Sequence, residues 1–260
     1  MPDLPDAEVR EGQFYRVVLG AERVVCYPRT PAAAARLGDR AKRLRIVSAL
    51  DLGVDVPQPI AESPPGEPPY LVLSRIAGEP LQPAFFDEPR VAEQCGRLLA
   101  RLQRAGADPA VRAALPVAGA DRWRQFADAV RAELYPRMST AGRDRAEDEL
   151  AAAATLPHLT SAVVHGDLGG ENLLWRHDAE CPRLSGVIDW DSVMLGDPAE
   201  DIAALAASFG LPVLEHLAGS DPSLLGRVAA IRATFALQQA LDGHLDGDEA
   251  ELAAGLAGYA

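Results

Sequence analysis

The sequence has few cysteines, few aromatic residues and no long uninterrupted apolar run. Among 260 residues there are 3 cysteines, and 5% of the chain is aromatic. Cys26, Cys95 and Cys181 are far apart, so they form no CxxC pair and no metal-ligand cluster. Such a sparse, odd set predicts free thiols in a reducing cytoplasm. Because no stretch of about 18 apolar residues occurs, the sequence predicts no membrane-spanning helix.

Positive charge is also scarce, since the formal net charge is −13. This balance argues against non-specific binding to nucleic acid or to an anionic membrane surface. It would suit a cationic small molecule, and it would equally serve only to keep the protein in solution. The acidic start, residues 1–6, lacks the apolar core of a signal peptide, which fits a cytoplasmic protein.

The first part of the chain has a β-rich pattern. Residues 14–19 and 23–27 are β-branched and aromatic and flank a glycine-containing turn, which predicts a hairpin. Residues 32–50 carry apolar side chains at helical spacing. Two further apolar segments, 59–61 and 70–73, are predicted strands separated by proline-rich connections.

From about residue 81 the pattern becomes mainly helical. The predicted helices are 91–104, 121–138, 141–156, 198–208, 223–241 and 248–259. Three short apolar strands are predicted at 161–164, 172–175 and 186–190. The order predicts an α+β chain with a small β-rich lobe at 1–73, a linker at 74–80 and a large helical lobe at 81–260.

Two of these strands lead into polar side chains that suit phosphoryl transfer. Asp167 and Asn172 lie five residues apart on the loop after one strand, and Asp189 ends another. Phosphoryl transfer needs a carboxylate to receive the proton of the nucleophile and oxygen ligands for magnesium on the phosphates. We therefore predict Asp167 as the base and Asn172 and Asp189 as magnesium ligands. Gly169 and Gly170 would let the backbone pass close to a substrate.

The same segments resemble a known family. The strings HGDLGGENLLW and GVIDWDSVMLGDPAEDIAAL are similar to the aminoglycoside-phosphotransferase family, which shares the protein-kinase-like fold. The HGDxxxxN catalytic loop of that family matches residues 165–172, and its ID metal motif matches residues 188–189. Its GDPxxDLA segment matches residues 196–203, with Ile202 in place of leucine.

The resemblance implies a bilobal kinase-like fold and an enzyme that uses Mg²⁺ and ATP or GTP. It implies that Asp167 is the catalytic base and that Asn172 and Asp189 bind magnesium. It also implies that His165 and Asp201 brace the catalytic loop by hydrogen bonding. The small lobe would then be the nucleotide-binding lobe, and the large lobe would hold the catalytic loop and the acceptor.

The linker and the strand before it also fit the resemblance. Residues 70–81 resemble the hinge of the family, in which backbone groups bind the purine. The matching positions here are Leu73, Ser74, Arg75 and Ile76. Composition alone would equally allow a strand followed by a turn.

The small lobe departs from the family pattern. The family places a basic residue for the phosphates on its third strand, where this chain has Cys26, and an uncharged thiol cannot anchor a phosphate. The partner glutamate on the next helix is replaced by Arg43. Arg16 or Arg29 could substitute for the basic residue, and the single Gly12 turn stands where a GxGxxG loop would cover the phosphates.

The acceptor site is predicted from negative charge near the catalytic loop. Glu171, Asp191 and Asp242 would attract a cationic, polyamine-like acceptor.

The leading hypothesis is an antibiotic-resistance phosphotransferase acting on an aminoglycoside, a macrolide or a related hydroxylated drug. A metabolic kinase acting on a choline-, homoserine- or sugar-amine-like acceptor is the alternative. A non-catalytic nucleotide-binding protein is a third hypothesis, which the Cys26 and Arg43 departures motivate.

Overall fold

The computed structural model describes residues 7–12, 14–82, 85, 89–178 and 181–260. Two segments discussed above lie outside the described residues: the acidic start at 1–6, and Gln13 next to the predicted phosphate-covering turn at Gly12. No helix in the described part of the chain is long and apolar enough to cross a membrane.

The small lobe is built on an antiparallel sheet and one helix. Within the described ranges, the strands of this sheet follow the order β1-β2-β3-β5-β4. They are Glu8–Glu11 (β1), Tyr15–Leu19 (β2), Arg23–Pro28 (β3), Pro59–Glu62 (β4) and Leu71–Ser74 (β5). The predicted hairpin is β2–β3, in which Val17 faces Cys26 across the ladder. β1 was missed because its charged residues are all exposed and show no alternation.

Helix α1, Pro31–Ser48, packs one face on this sheet. Thr30 caps its start by accepting the Ala33 N–H at 3.1 Å, and proline at the first helical position needs no such partner. The buried side chains of α1 are Ala33, Leu37, Ala41, Leu44 and Val47. Their spacing of three and four leaves the arginines of α1 off the buried stripe.

The large lobe contains the remaining helices. They are Pro89–Gly106 (α2), Pro109–Ala114 (α3), Arg122–Glu133 (α4), Thr140–Ala154 (α5), Ala199–Phe209 (α6), Leu211–Ala218 (α7), Pro222–Ala233 (α8), Phe235–Asp246 (α9) and Glu249–Leu256 (α10). The single helix predicted over 223–241 is therefore two helices. The chain divides at Thr234, whose hydroxyl donates to the Ile231 carbonyl at 2.7 Å.

Short strands of the large lobe carry the loops of interest. They are Glu79–Pro80 (β6), Ala162–Val164 (β7), Leu173–Asp178 (β8), Cys181–Val187 (β9) and Met194–Gly196 (β10). Among the described residues they form the sheets β6-β8-β9 and β10-β7. The strand predicted at 186–190 ends earlier, at Val187. This frees the next residues to turn away from the sheet.

The two lobes share one hydrophobic core. Its buried members run from Tyr15 and Cys26 in the small lobe to Trp190 and Val213 in the large lobe. Backbone hydrogen bonds also join the lobes, because Asp55 donates its N–H to Ser185 at 2.9 Å and accepts the Val187 N–H at 3.0 Å. The predicted α+β, bilobal arrangement of a small β-rich lobe and a large, mainly helical lobe is confirmed.

Candidate active site

The predicted catalytic loop follows β7, and a buried carboxylate on α6 accepts hydrogen bonds from its first backbone N–H groups. Asp201, 2% exposed in the first turn of α6, accepts the backbone N–H of His165 at 2.9 Å and that of Gly166 at 3.0 Å. Burial raises the pKa of Asp201 to about 7, against the lowering effect of these two N–H groups. Two such bonds from one side chain fix the direction in which the chain leaves β7.

His165 is the second support of this loop. Its Nε2 lies 2.9 Å from the Ile188 carbonyl, and its Nδ1 accepts the Asp167 N–H at 3.2 Å. This assigns the Nε2–H tautomer, because a carbonyl can only accept and an N–H can only donate. Burial lowers the pKa of His165 to about 4, and its ring lies 4.5 Å from that of Trp190. The neutral imidazole thus ties the catalytic loop to the strand that precedes Asp189.

Gly166 allows the turn between these two supports. Its φ is +85°, a region that residues with a Cβ rarely occupy. A Cβ at this position would also lie 2.9 Å from the carbonyl oxygen of Ser192. Both facts explain a glycine between His165 and Asp167.

Asp167 and Asn172 meet across the loop. Asn172 Nδ2 donates to the Asp167 carbonyl at 2.8 Å and to Asp167 Oδ2 at 3.1 Å. Burial and the nearby charge of Asp189 raise the pKa of Asp167, and the Asn172 hydrogen bond opposes that rise. The amide group is therefore oriented with its oxygen away from the Asp167 carboxylate.

Asp189 has a strained backbone. It is the one residue other than glycine with positive φ in the described part of the chain, at φ 62° and ψ 60°. Aspartate and asparagine tolerate this left-handed region better than most residues. Its side chain is 53% exposed. The backbone next to it is tied to the catalytic loop, because the Ile188 N–H donates to the Asn172 carbonyl at 3.0 Å.

The predicted hinge lies where β5 ends. The N–H of Ser74 donates to the Gln58 carbonyl and that of Arg75 to the Glu22 carbonyl, both at 2.9 Å. Leu73 is paired within the sheet. The N–H of Ile76, by contrast, has no hydrogen-bond partner among the residues that the structure describes.

One large cleft brings together the predicted catalytic base and the predicted acceptor residues. It has a volume of about 1150 Å³, and Asp167, Glu171, Asp191 and Asp242 all line it. The described hinge residues, 73–76, do not line it. Burial and the charges of Asp246 and Asp167 raise the pKa of Asp242, so these carboxylates are close enough to repel one another.

Several lining residues were not among the predicted site residues. Asp246 and Glu251 extend the acidic wall, and Trp123 and Phe126 add aromatic rings from α4. The two rings are 5.9 Å apart in an edge-on arrangement, and their spacing of three residues on a helix was a signal that both face one side. Asp246 lies one turn after Asp242 on α9, a spacing that was visible in the sequence. Glu251 joins them only after α10 has packed on α9.

The predicted acceptor residue Asp191 lies on the small-lobe side of the cleft. Its carboxylate Oδ1 is 3.0 Å from Arg40 Nε, and Arg43 donates to its backbone carbonyl. Arg40 was another residue that the sequence reasoning missed. Arg16 and Arg29, the two candidates it considered, lie 3.5 and 3.8 Å from Glu11 instead, and neither lines the cleft.

A carboxylate beside an amide, a second carboxylate on the next loop and a cleft lined from both lobes are the arrangement that the sequence predicted for a phosphotransferase. Comparison with known proteins agrees. The profile of the phosphotransferase enzyme family (APH) matches residues 5–248, and the chain belongs to this family. It is 55% identical over 262 aligned residues to viomycin phosphotransferase of Streptomyces vinaceus, covering 96% of this chain and 91% of that protein.

Solved structures show the same fold. The GDP and kanamycin complex of APH(2")-IIia has a TM-score of 0.83 at 19% identity, covering 98% of this chain and 92% of that one. Macrolide 2'-phosphotransferase type I has a TM-score of 0.76 at 25% identity, covering 98% and 90%. The recognised family and the prediction of a phosphotransferase enzyme are both confirmed.

Proposed function

We propose that this enzyme transfers the γ-phosphate of ATP or GTP to a hydroxyl group of an antibiotic, with Asp167 as the general base. One observation carries the proposal: Asp167 lies in a large cleft that several other carboxylates also line. In this proposal residues 1–73 form the nucleotide-binding lobe, residues 74–80 the hinge and residues 81–260 the acceptor lobe.

Asp167 is suited to receive a proton. Its raised pKa makes the carboxylate a better proton acceptor than an exposed aspartate. Asn172 holds one of its oxygens, Oδ2, at 3.1 Å, which limits rotation of the carboxylate. The buried supports His165 and Asp201 keep the loop in place while the acceptor hydroxyl approaches.

Asn172 and Asp189 suit a magnesium ion. The Nδ2 group of Asn172 donates to Asp167. The amide oxygen therefore points elsewhere and can bind a cation. No group of three His, Cys, Asp or Glu side chains fit for a metal occurs among the described residues. Magnesium commonly binds through one or two protein oxygens, waters and substrate phosphates. When bound, it would neutralise charge on the transferred phosphate.

The donor base would bind at the hinge. The N–H of Ile76 is free of partners within the described ranges, so it can donate to an acceptor nitrogen or oxygen of a purine. Leu73, Ser74 and Arg75 complete the predicted hinge at the end of β5. Solved relatives carry either GDP or ATP, and both donors therefore belong in the test.

The acidic wall favours a cationic acceptor. Asp242 and Glu251 both have raised pKa values, because burial and neighbouring carboxylates disfavour their charged forms. A positively charged ligand would relieve this repulsion. Viomycin is the first acceptor to test because of the 55% identity to viomycin phosphotransferase, followed by kanamycin and a macrolide.

The test is transfer of phosphate measured by mass. The protein is incubated with magnesium and ATP or GTP against viomycin, kanamycin, a macrolide, choline and homoserine. Asp167→Asn keeps the shape of the side chain and removes the base, so transfer is expected to fall about 10²- to 10⁴-fold while nucleotide binding persists.

The control is Asp144→Asn, at an exposed position of α5, which should transfer at the wild-type rate. Phosphorylation of choline or homoserine but of no antibiotic would contradict the proposed acceptor. Full activity of Asp167→Asn would contradict its role as base.

A further inference from the structure

In the small lobe, neither the lysine nor the β3 residue at the family's basic position is suited to hold the phosphates of a nucleotide. Lys42 is the only lysine of the sequence; it is 72% exposed and pairs with Asp39 at 2.9 Å. Cys26, in the position that the family gives to a basic residue, is 2% exposed. Burial raises the pKa of its thiol, which therefore stays neutral. The cation must come from an arginine.

Helix α1 directs a row of arginines into the cleft. Arg36, Arg40 and Arg43 are spaced by four and three residues, which places them on one face of a helix. All three line the cleft. Arg45, two residues further along, does not line it; it pairs with Glu62 at 2.6 Å.

Arg40 is the buried member of this row. Its side chain is 12% exposed, and its guanidinium lies 4.4 Å from the centre of the Tyr15 ring. It reaches two carboxylates from the large lobe, with Nε 3.0 Å from Asp191 Oδ1 and Nη2 3.8 Å from Asp189 Oδ1. Cys26 is near enough to share electrostatic interactions with it.

The bond between Arg40 and Asp191 is incomplete. Arg40 Nε and Asp191 Oδ1 are both inaccessible to solvent, and neither has a well-aligned hydrogen bond within the described part of the chain. Buried polar atoms without partners are costly and rare, and they often belong to a functional site. The two atoms attract each other through charge at 3.0 Å without forming an aligned hydrogen bond.

We propose that Arg40 holds the phosphates of the donor nucleotide from α1, in place of a basic residue on β3. This rests on the proposed function. A guanidinium has five donors in a planar fork, so it can bind a phosphate and a carboxylate together. Its contact with Asp189 places that positive charge beside the predicted magnesium ligand. Arg43 fixes the Asp191 backbone and so acts as a positioning residue.

Other described cations near the cleft are less suited. Arg36 is exposed and lies 5.8 Å from the centre of the Phe14 ring. Arg122 is on the acceptor side, where it pairs with Glu200 at 2.7 Å. Among these cations, Arg40 alone is largely buried and contacts both Asp189 and Asp191.

The experiment is calorimetric titration of the full chain with ATP, ADP and adenosine, each with and without magnesium. Arg40→Gln should weaken ATP and ADP binding about 10- to 100-fold, because bonds between charged groups are lost. Adenosine, which lacks phosphates, should bind as it does to the wild type. Arg45→Gln, on the same helix outside the cleft, should match the wild type for all three ligands.

Unchanged ATP affinity in Arg40→Gln would overturn the inference, and so would an equal loss for ATP and adenosine. If Arg40→Gln does not fold, Arg40→Gln with Asp191→Asn removes both halves of the buried pair and is compared with Asp191→Asn alone. Retained phosphate-dependent affinity in the double variant would also overturn it. A wild type that binds ATP but phosphorylates no acceptor would instead count against the proposed function.

Discussion

The two lobes build their halves of the cleft in different ways. In the large lobe, the predicted base and one predicted metal ligand come from one short loop. The backbone of this loop is held by the buried side chains of His165 and Asp201. In the small lobe, the cation that contacts Asp189 and Asp191 is Arg40, which lies on helix α1. Cys26 occupies the β3 position at which the family has a basic residue. A local loop needs its residues at fixed spacing, whereas a phosphate grip needs only a positive charge at a point in space.

The difference has consequences for which part tolerates change. Gly166 and Asp189, on two loops of the large lobe, adopt backbone conformations that few residues accept, so both loops depend on residue identity at these positions. The small lobe requires a long cationic side chain that reaches the cleft, and either a strand or a helix can supply one. Departures from a family pattern are therefore expected first in the small lobe.

Among the variants that compare the two halves of the cleft, Asp189→Asn should have the largest effect. Asp189→Asn keeps a residue that tolerates positive φ and removes the charge that would bind magnesium. Transfer should fall about 10²- to 10³-fold, since a catalytic metal contributes several kcal/mol. Transfer rates and nucleotide affinity would be measured across magnesium concentrations, and the magnesium dependence of binding should weaken.

Asp191→Asn is the matched comparison, two residues along the same loop. It removes the carboxylate beside Arg40, so it should change the KM for ATP while the magnesium requirement stays. A wild-type magnesium dependence in Asp189→Asn would show that the metal is held elsewhere.

A second prediction concerns pH and the support of the large-lobe loop. Burial lowers the pKa of His165 from 6.5 to about 4, so the unfolded chain takes up a proton there more readily than the folded one. This stabilisation is complete above about pH 6.5 and is lost as the pH falls towards 4, by about 3 kcal/mol.

Asp201 acts in the opposite direction, because its pKa is raised to about 7 and its stabilisation is lost as the pH rises. We would therefore measure the difference in the free energy of unfolding between wild type and His165→Gln, by urea unfolding from pH 4.5 to 7.5. The variant should lose less stability on acidification. Parallel curves would mean that His165 is not buried in its neutral form.

The smallest expected effect tests the acceptor wall. Asp242→Asn removes one charge of a partly exposed cluster, so the KM for a cationic acceptor should rise about two- to fivefold. The KM for ATP should not change. Asp148→Asn, at an exposed position of α5, is the control. An equal rise for an uncharged acceptor would indicate loss of shape rather than of charge.

Much of the large-lobe site could be predicted because its residues are close in sequence. Asp167 and Asn172 lie on one loop, where a spacing of five brings an amide to a carboxylate at 3.1 Å. The β2–β3 hairpin and helix α1 were predictable from alternation and from helical spacing. These signals are local, and neither needs the rest of the fold.

Other features depend on packing between distant segments. The break at Thr234 divides a helix whose pattern is continuous in sequence. Glu251 joins the acidic wall only where α10 packs on α9. The contact between Arg40 and Asp191 joins residues from separate lobes. The sequence showed the arginines of α1 but not which carboxylates they would meet.

The sequence by itself determined the fold class, the family and the reaction type, because the chemistry of the catalytic loop lies within a short stretch of chain. Only the tertiary structure decided how positive charge reaches the phosphate side of the cleft. Helix α1 packs its apolar stripe on the sheet, and this turns Arg40 towards Asp189 and Asp191. Charges act through space over several ångströms, so their partners follow from packing and not from spacing along the chain.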